Sequence, residues 1–393
     1  MRVLYLGEMG DAISNLIALS KVATDIVVLN TSLTNFYEEP PSVHDAIGKK
    51  LVVYNLYEPV NPKGLGTVAK LRKILRYLSG FNYSFFSLFA LGNYEKKFIK
   101  NVLDKEKVDL VFAAWGISVI ADIRFLRAVD PTVPIVHYLP TFPTSQLSKI
   151  RESLELYMFR RNVPSVQGFI TGSEPMKSFF TKKFGMNGSS MFVGPIYYAS
   201  EYFARNRMPL MSDKTGEPHL VFPGTNDFSK TYNDVTAQIV EVTRCQIHVH
   251  CGQTTREDLG GHYVHFFERF DTPDLVNGKF AEFMTQFDGC LVLYNGNSKR
   301  LKLTHSIPQR FLAAFIAGIP IFMKRGTFSA CEEIVTSSNI GLVYEDAEEL
   351  RQHLLDHRWM DSVRRNALEI SSRFAFEYQK DSLFKFLSSL INR

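Results

Sequence analysis

The residue types best placed for chemistry lie in the segment from Pro308 to Pro320. Its apolar residues recur at helical spacing, at positions 311, 312, 315 and 316, which predicts a helix with one buried face. Pro308 suits a first helical turn, and Gly318 suits the left-handed position beyond the last turn. Arg310 lies in the first turn, where backbone N–H groups and the helix dipole attract anions. We therefore expect an anion held by a forked pair of hydrogen bonds from Arg310; a surface arginine on an amphipathic helix is the alternative.

This segment resembles the donor-binding helix of GT-B glycosyltransferases, especially family-4-like enzymes, and four residues carry the resemblance: Pro308, Arg310, Gly318 and Pro320. The resemblance implies an α/β fold with two Rossmann-like domains that face each other across a cleft. The nucleotide-sugar donor would lie in the second domain, with Arg310 against its diphosphate. Two family glutamates are replaced, since Ala313 stands at the position that holds the donor ribose and His305 stands at the other.

The same resemblance assigns donor-binding roles to Gly224, Thr225, His305, Ser306, Gln309 and Ala313, and a catalytic role against the donor phosphates to Lys230. Gly224 follows a predicted strand that begins at His219, and Lys230 precedes a helix predicted for residues 231–242. The family places a glycine turn and a basic residue here, against the donor phosphates, and Thr225 stands where an arginine is often found. Arg310, Lys230 and the amides of the turn would form an electrostatic clamp on the diphosphate charge.

The first residues of the chain predict a strand, a glycine turn, a helix and a second strand at 25–30, which is a βαβ unit. The turn contains Gly7, Gly10 and Asp11. Its glycines would let a substrate approach the backbone, and in a GT-B enzyme this loop would face the cleft and the acceptor. The alternative is that the glycines serve only the tight turn.

Further strands are predicted at residues 108–113, 133–139, 168–171 and 191–194, with helical patterns between most of them. This alternation predicts a parallel sheet covered on both faces. Ligands of such sheets bind beyond the carboxyl ends of the strands, and Trp115 and His137 lie at two of those ends. His137 can orient an acceptor or donate a proton to the departing phosphate; a buried structural histidine is the alternative.

The alternation of strands and helices restarts at His219, after a segment rich in turn residues, which indicates two domains. We predict an acceptor domain at residues 1–196 and a donor domain at residues 197–372. The aromatic helix that begins near Phe374 resembles the family's tail, so residues 373–393 are predicted to return to the first domain.

The segment from Cys245 to Cys251 contains two histidines and looks at first like a metal site. As a strand, however, it points both cysteines to one face and His248 and His250 to the other. One ion cannot easily collect all four side chains, so no metal site is predicted. The resemblance also implies no bound metal and no cofactor, with the nucleotide sugar as substrate.

Composition narrows the class of protein further. A net charge of +5 over 393 residues is too small to indicate nucleic-acid binding. Four cysteines do not make a disulfide framework in a chain of this length, and we find no signal peptide and no apolar run of membrane-spanning length. A cytoplasmic protein is therefore predicted.

Residues 70–100 combine basic flanks with an aromatic-rich centre. This pattern is typical of a helix that lies on an anionic membrane surface, and it predicts peripheral binding at the inner face of the membrane. A pair of core helices with solvated basic ends is the alternative.

The function predicted from the sequence is transfer of a sugar from a nucleotide sugar to a hydroxyl of a glycan or lipid-linked acceptor, without metal and with retention of configuration. Two alternatives stay open. A degenerate GT-B protein could bind a glycan or a partner without turnover, which would account for Ala313. A nucleotide-sugar epimerase would share the second domain.

Overall fold

The computed structural model describes residues 1–7, 13–31, 45, 47–48, 51–56, 91–114, 118–143, 149–194, 198–223, 230–250, 263–268, 270–293 and 304–392. The chain divides into two compact units. The first contains Met1–Ile196 and Gln379–Arg393, and the second contains Tyr197–Tyr378. Within the described ranges, no helix has the length and apolar character needed to cross a membrane.

The first unit is built on a seven-stranded sheet: β1 (Arg2–Gly7), β2 (Asp25–Asn30), β3 (Val52–Asn55), β4 (Leu110–Ala114), β5 (Ile135–Leu139), β6 (Gly168–Thr171) and β7 (Met191–Val193). Every pairing is parallel, in the order β3-β2-β1-β4-β5-β6-β7. The chain moves outward from β1 through β2 to β3, and then continues on the other side of β1 with β4. The direction of the connections therefore reverses between β1 and β4, which is the switch point of a doubly wound sheet.

Within the described ranges of the first unit, the helices that connect these strands are α1 (Ile13–Ser20), α2 (Leu91–Glu106), α3 (Ser118–Val129), α4 (Lys149–Asn162) and α5 (Glu174–Phe184). Short 3₁₀ turns follow at Val163–Ser165 and Gly188–Ser190. The central strands are buried along almost their whole length, as in β4, where all five residues are buried. Such strands are expected where helices cover both faces of a parallel sheet.

The second unit is built on a six-stranded sheet: β8 (His219–Phe222), β9 (Gln246–His250), β10 (Val264–Phe267), β11 (Gly289–Val292), β12 (Ile321–Lys324) and β13 (Gly341–Tyr344). All pairings are again parallel, in the order β10-β9-β8-β11-β12-β13. Here the direction of the connections reverses between β8 and β11, so the switch point lies at the carboxyl ends of these two strands.

The described part of the second unit contains the helices α6 (Ser212–Thr215), α7 (Lys230–Thr243), α8 (Thr272–Val276), α9 (Lys279–Met284), α10 (Gln309–Ala317), α11 (Ser329–Ser338), α12 (Ala347–Leu355) and α13 (His357–Ser371). Two 3₁₀ turns add Ser200–Tyr202 and Ser372–Phe374. Side-chain oxygens of aspartates cap α12 and α13: Asp346 accepts from the Glu349 N–H, and Asp356 from the Trp359 N–H. Such caps satisfy backbone donors that have no partner within the helix.

The last helix, α14 (Phe376–Ile391), completes the first unit, to which residues 379–393 belong. Its Leu383, Leu387 and Leu390 are almost fully buried. Gly168 makes room for this helix, because a Cβ at Gly168 would lie 2.5 Å from Cδ1 of Leu390. The rings of Phe192 and Phe386 pack with centroids 5.7 Å apart.

Two parallel sheets with flanking helices confirm the predicted Rossmann-like α/β architecture and its returning C-terminal helix. Most predicted strands are observed within two residues of their predicted bounds, whereas β3 was not predicted. The helical pattern expected through residue 107 is observed as α2; residues 57–90, which include most of the aromatic segment, lie outside the described residues.

Candidate donor site at the switch point of the second sheet

Helix α10 has the ends that its sequence predicts. Pro308 precedes the first helical residue in an extended conformation (φ −74°, ψ 148°), and its carbonyl oxygen accepts from the Phe311 N–H at 3.0 Å. Gly318 is left-handed (φ 59°, ψ 47°), and its N–H bonds to the last turn. All residues from 311 to 317 are buried, whereas Gln309 is exposed and Arg310 is half-buried. The polar side chains of α10 are therefore confined to its first turn.

Arg310 lies at the switch point of the second sheet. Its Nη1 donates a hydrogen bond of 2.8 Å to the carbonyl oxygen of Leu293, the residue that follows β11. Its guanidinium carbon lies 4.4 Å from the ring centroid of Phe222, the last residue of β8. Strands β8 and β11 are neighbours, and the connections reverse between them. This is the position at which doubly wound sheets bind ligands.

The Arg310 side chain crosses the carboxyl edge of the sheet. Phe311 of α10 shares a buried cluster with Val221, which identifies the face that carries the helix. Phe222 and Leu293 belong to the cluster on the opposite face, as expected because successive strand residues point in opposite directions. The helix that carries Arg310 therefore packs on one face of the sheet, whereas the Arg310 guanidinium contacts the ring of Phe222, which belongs to the opposite face.

Phe222 and Leu293 were not among the residues predicted from the sequence. An aromatic residue at the end of an apolar strand is ordinarily interpreted as part of the hydrophobic core. A backbone carbonyl group cannot be recognised from sequence, because every residue has one. One sequence signal could have identified Phe222 as a site residue: it lies immediately before Pro223-Gly224, the predicted glycine turn.

Two predicted donor residues precede α10. The hydroxyl of Ser306 is buried, with 2% of the residue exposed, and it has no hydrogen-bond partner in the described part of the chain. His305 is half-buried, and burial lowers the pKa of its imidazole, which favours the neutral ring at pH 7. The loop thus presents a neutral imidazole and an unpaired hydroxyl beside a cationic helix start.

The structure says less about the roles of the remaining predicted donor-site residues. Ala313 is 6% exposed and lies within the apolar cluster under α10. Lys230 is the first residue of α7, and Gly224 and Thr225 lie outside the described residues. The donor-binding roles of these residues stay predictions.

Gly7 occupies the switch point of the first sheet. It ends β1 with φ 155°, and a Cβ there would lie 2.3 Å from the carbonyl oxygen of Ala114 at the end of β4. Only glycine fits this approach of the two strands. Gly10, Asp11 and Trp115, the other predicted loop and cleft residues, lie outside the described residues.

His137 is placed in an aromatic environment inside the first unit. It is 2% exposed, and its ring centroid lies 6.4 Å from that of Phe159 and 6.2 Å from that of Phe169. These surroundings agree with the alternative of a buried structural histidine. A catalytic role for His137 stays a prediction.

The segment that looked like a metal site has its two faces separated as predicted. Cys245 packs with Ile247 and Val249 in one cluster, whereas His248 stacks on His219 and His265. Among the described residues, no group of three or more His, Cys, Asp or Glu side chains could hold a metal ion.

Comparison with known proteins connects this geometry to a fold family. No protein-family model matches the chain, and no curated protein sequence does. Solved structures do match. Sucrose-phosphate synthase from Thermosynechococcus elongatus is 12% identical with a TM-score of 0.69, covering 100% of this chain and 99% of that chain. Anabaena HepE in complex with UDP and glucose is 13% identical with a TM-score of 0.64, covering 99% and 100%.

The chain has a GT-B fold. The GT-B likeness extends beyond transferases, since the UDP-GlcNAc 2-epimerase from Neisseria meningitidis, bound to UDP-GlcNAc, is 11% identical with a TM-score of 0.58 over 99% of this chain and 100% of that chain. All three neighbours match along almost the whole chain, so both sheets and the C-terminal helix belong to the GT-B architecture.

Proposed function

We propose that this protein is a glycosyltransferase that moves a sugar from a nucleotide-sugar donor to a hydroxyl of a glycan or lipid-linked acceptor. The observation that carries the proposal is Arg310, held against Phe222 and the Leu293 carbonyl at the switch point of the second sheet. Anabaena HepE, a structural neighbour, was solved with UDP and with UDP-glucose. We also propose that transfer is retaining and needs no bound metal.

The chemistry that this site would support is displacement of a nucleoside diphosphate from the anomeric carbon. The bond from that carbon to the phosphate oxygen breaks, a bond to the acceptor oxygen forms, and the acceptor's proton passes to the departing diphosphate. Negative charge grows on the diphosphate as the sugar departs. A guanidinium is always cationic at neutral pH, so Arg310 at the start of α10 stabilises this charge more in the transition state than before it.

The identity of the reaction product distinguishes glycosyl transfer from two alternative functions. The epimerase among the structural neighbours supports a nucleotide-sugar epimerase, which would yield an epimeric nucleotide sugar in place of free nucleotide. Ala313 supports a binding protein without turnover, which would release neither product. A panel of nucleotide sugars, assayed with and without a chelator, separates these cases and tests the proposed independence of metal.

Arg310→Ala should slow transfer by about a hundredfold or more. A hydrogen bond to a charged group contributes roughly 1.5–3 kcal/mol, a forked pair contributes more, and each 1.4 kcal/mol is about tenfold in rate. Arg310→Lys should recover only part of the loss, because an ammonium cannot form the fork. Steady-state kinetics with the donor identified by the panel measure both effects.

Arg351→Ala is the matched control for this experiment. Arg351 lies on α12 in an exposed ion pair with Glu348, and such pairs contribute little, so transfer should be unchanged. A folded Arg310→Ala protein that binds donor and turns over at the original rate would contradict the proposal.

We further propose that the first unit binds an anionic membrane surface through residues 70–100. The described part of this segment lies in α2, where Tyr94 is 50% exposed and Lys97 and Lys100 are also exposed. An aromatic ring beside lysines on one helix supports contact with anionic lipid.

A further inference from the structure

The contact with the Phe222 ring constrains the position of the Arg310 guanidinium. A long cationic side chain has many rotamers available unless contacts select one of them. Here one end of the guanidinium donates to the Leu293 carbonyl at 2.8 Å, and its carbon lies 4.4 Å from the Phe222 centroid. This separation is well inside the distance of about 6 Å at which a ring face attracts a cation.

Phe222 is itself held rigidly. It is 4% exposed and packs with Leu220, Leu291 and Phe322 on the face of the sheet opposite α10. Its backbone pairs in register with Val249 of β9. Because neither the ring nor its strand can move far, the ring defines where the guanidinium lies.

We propose that Phe222 is a positioning residue of the donor site: its ring face holds the Arg310 guanidinium over the carboxyl ends of β8 and β11, where it meets the diphosphate of a nucleoside diphosphate. This inference rests on the proposed function. It adds Phe222 to the donor site and predicts that the residue affects binding of the diphosphate but not of the nucleoside. The ring acts on the diphosphate through Arg310 and does not touch the nucleoside. Binding of the diphosphate should therefore depend on Phe222, whereas binding of the nucleoside should not.

Phe222→Leu keeps an apolar side chain in the cluster and removes the ring face. UDP affinity should fall by about 3- to 30-fold, the range expected for a cation–π contact between partly and fully desolvated groups. Uridine affinity should be unchanged, and Phe222→Tyr, which keeps the ring, should restore UDP binding. Isothermal titration calorimetry of the full chain with UDP and with uridine measures each of these.

Phe322→Leu is the matched control, since Phe322 is fully buried in the same cluster and lies on β12. It loses the same atoms from the same core, so it should leave UDP affinity unchanged. In an Arg310→Ala background, Phe222→Leu should have no further effect on UDP affinity, because the ring has lost the group that it positions.

The possible outcomes separate this inference from the proposed function. A wild-type chain that binds neither UDP nor any other nucleoside diphosphate of the panel overturns both. If another nucleoside diphosphate binds in place of UDP, the same titrations are made with it and with its nucleoside. A wild-type chain that binds UDP, with the same affinity after Phe222→Leu, overturns the positioning role alone. The positioning role is also overturned if Phe222→Leu weakens UDP and uridine binding equally, because the ring would then touch the nucleoside. It is overturned as well if Phe322→Leu weakens UDP binding as much as Phe222→Leu does, or if Phe222→Leu has its full effect in the Arg310→Ala background. Either result would mean that Phe222 acts through packing.

Discussion

At the scale of single residues, two buried hydroxyls of the second unit stand out. Ser306 and Tyr344 are each 2% exposed, and neither hydroxyl has a hydrogen-bond partner within the described ranges. A buried hydroxyl without a partner costs about 1–3 kcal/mol. The two differ in position, because Ser306 precedes the cationic start of α10, whereas Tyr344 ends β13 at the outer edge of the sheet.

Removal of either hydroxyl should stabilise the ligand-free protein, but only one should affect binding. Ser306→Ala should raise the free energy of unfolding by about 1 kcal/mol and weaken UDP binding severalfold, if the donor is the missing partner. Tyr344→Phe should raise stability by a similar amount and leave UDP binding unchanged. Urea unfolding and titration calorimetry measure the two quantities. A Ser306→Ala protein with unchanged UDP affinity would show that its hydroxyl does not contact the donor.

At the scale of elements, the strands β8, β9 and β10 bring three histidines together. Nδ1 of His219 and Nε2 of His248 lie 2.8 Å apart, and the rings of His248 and His265 stack with centroids separated by 4.8 Å. Burial, followed by the nearby histidines, lowers the pKa of His248 to about 3. Burial also lowers the pKa of His219, although Asp288 and Glu217 oppose that shift. Both shifts favour the neutral forms of the His219 and His248 rings.

Acidification should destabilise the second unit. In the unfolded chain a histidine binds its proton below about pH 6.5, whereas folded His248 stays neutral almost down to its lowered pKa. The stability that neutral His248 contributes is thus complete above pH 6.5 and is lost as the pH falls from 6.5 towards 3. By linkage the loss at pH 5 is about 2 kcal/mol for this residue.

Urea midpoints and hydrogen exchange of β9, compared between pH 7 and pH 5, test this prediction. His248→Gln should reduce the loss of stability, because the substituted side chain does not titrate. His357→Gln, at an exposed histidine of α13, should keep the wild-type difference. Equal stability of the wild-type protein at both pH values would contradict the prediction.

The sequence predicted elements better than the contacts between them. Proline and glycine mark the two ends of α10, and the alternating direction of side chains along a strand places Cys245 and His248 on opposite faces of the sheet, as observed. Strand register, however, has no local signal, so the stacking of His248 on His265 could not be predicted. The same is true of Phe222, because its contact with Arg310 exists only where strand order brings β8 beside β11.

At the scale of the whole molecule, the net charge of +5 is divided unequally, because the first unit carries +9 (26 Lys and Arg against 17 Asp and Glu) and the second carries −4. Membrane binding is therefore expected through the first unit, at its local clusters of lysines. Attraction between lysines and an anionic surface extends about one Debye length, roughly 10 Å at 0.1 M salt. We therefore expect a small number of exposed lysines on one helix to determine whether the protein binds an anionic membrane.

We expect the protein to sediment partly with anionic vesicles at low salt and to be released as salt is raised. The double variant Lys97→Glu and Lys100→Glu should lower the bound fraction by about tenfold. The control variant Lys182→Glu and Lys183→Glu changes the net charge equally, at exposed positions of α5 in the same unit, and should bind like wild type. Equal binding to neutral and anionic vesicles would contradict an electrostatic contact.

The division of the first unit into two stretches of chain has a consequence for biosynthesis. Residues 379–393 belong with residues 1–196, and the whole second unit is translated between them. At about 5–20 residues per second, roughly 10–40 s separate the emergence of β7 from that of α14. During this interval the groove that Gly168 and Phe192 form for Leu390 and Phe386 stays open on the nascent chain. The ribosome thus delivers a complete second unit before the first can close its core.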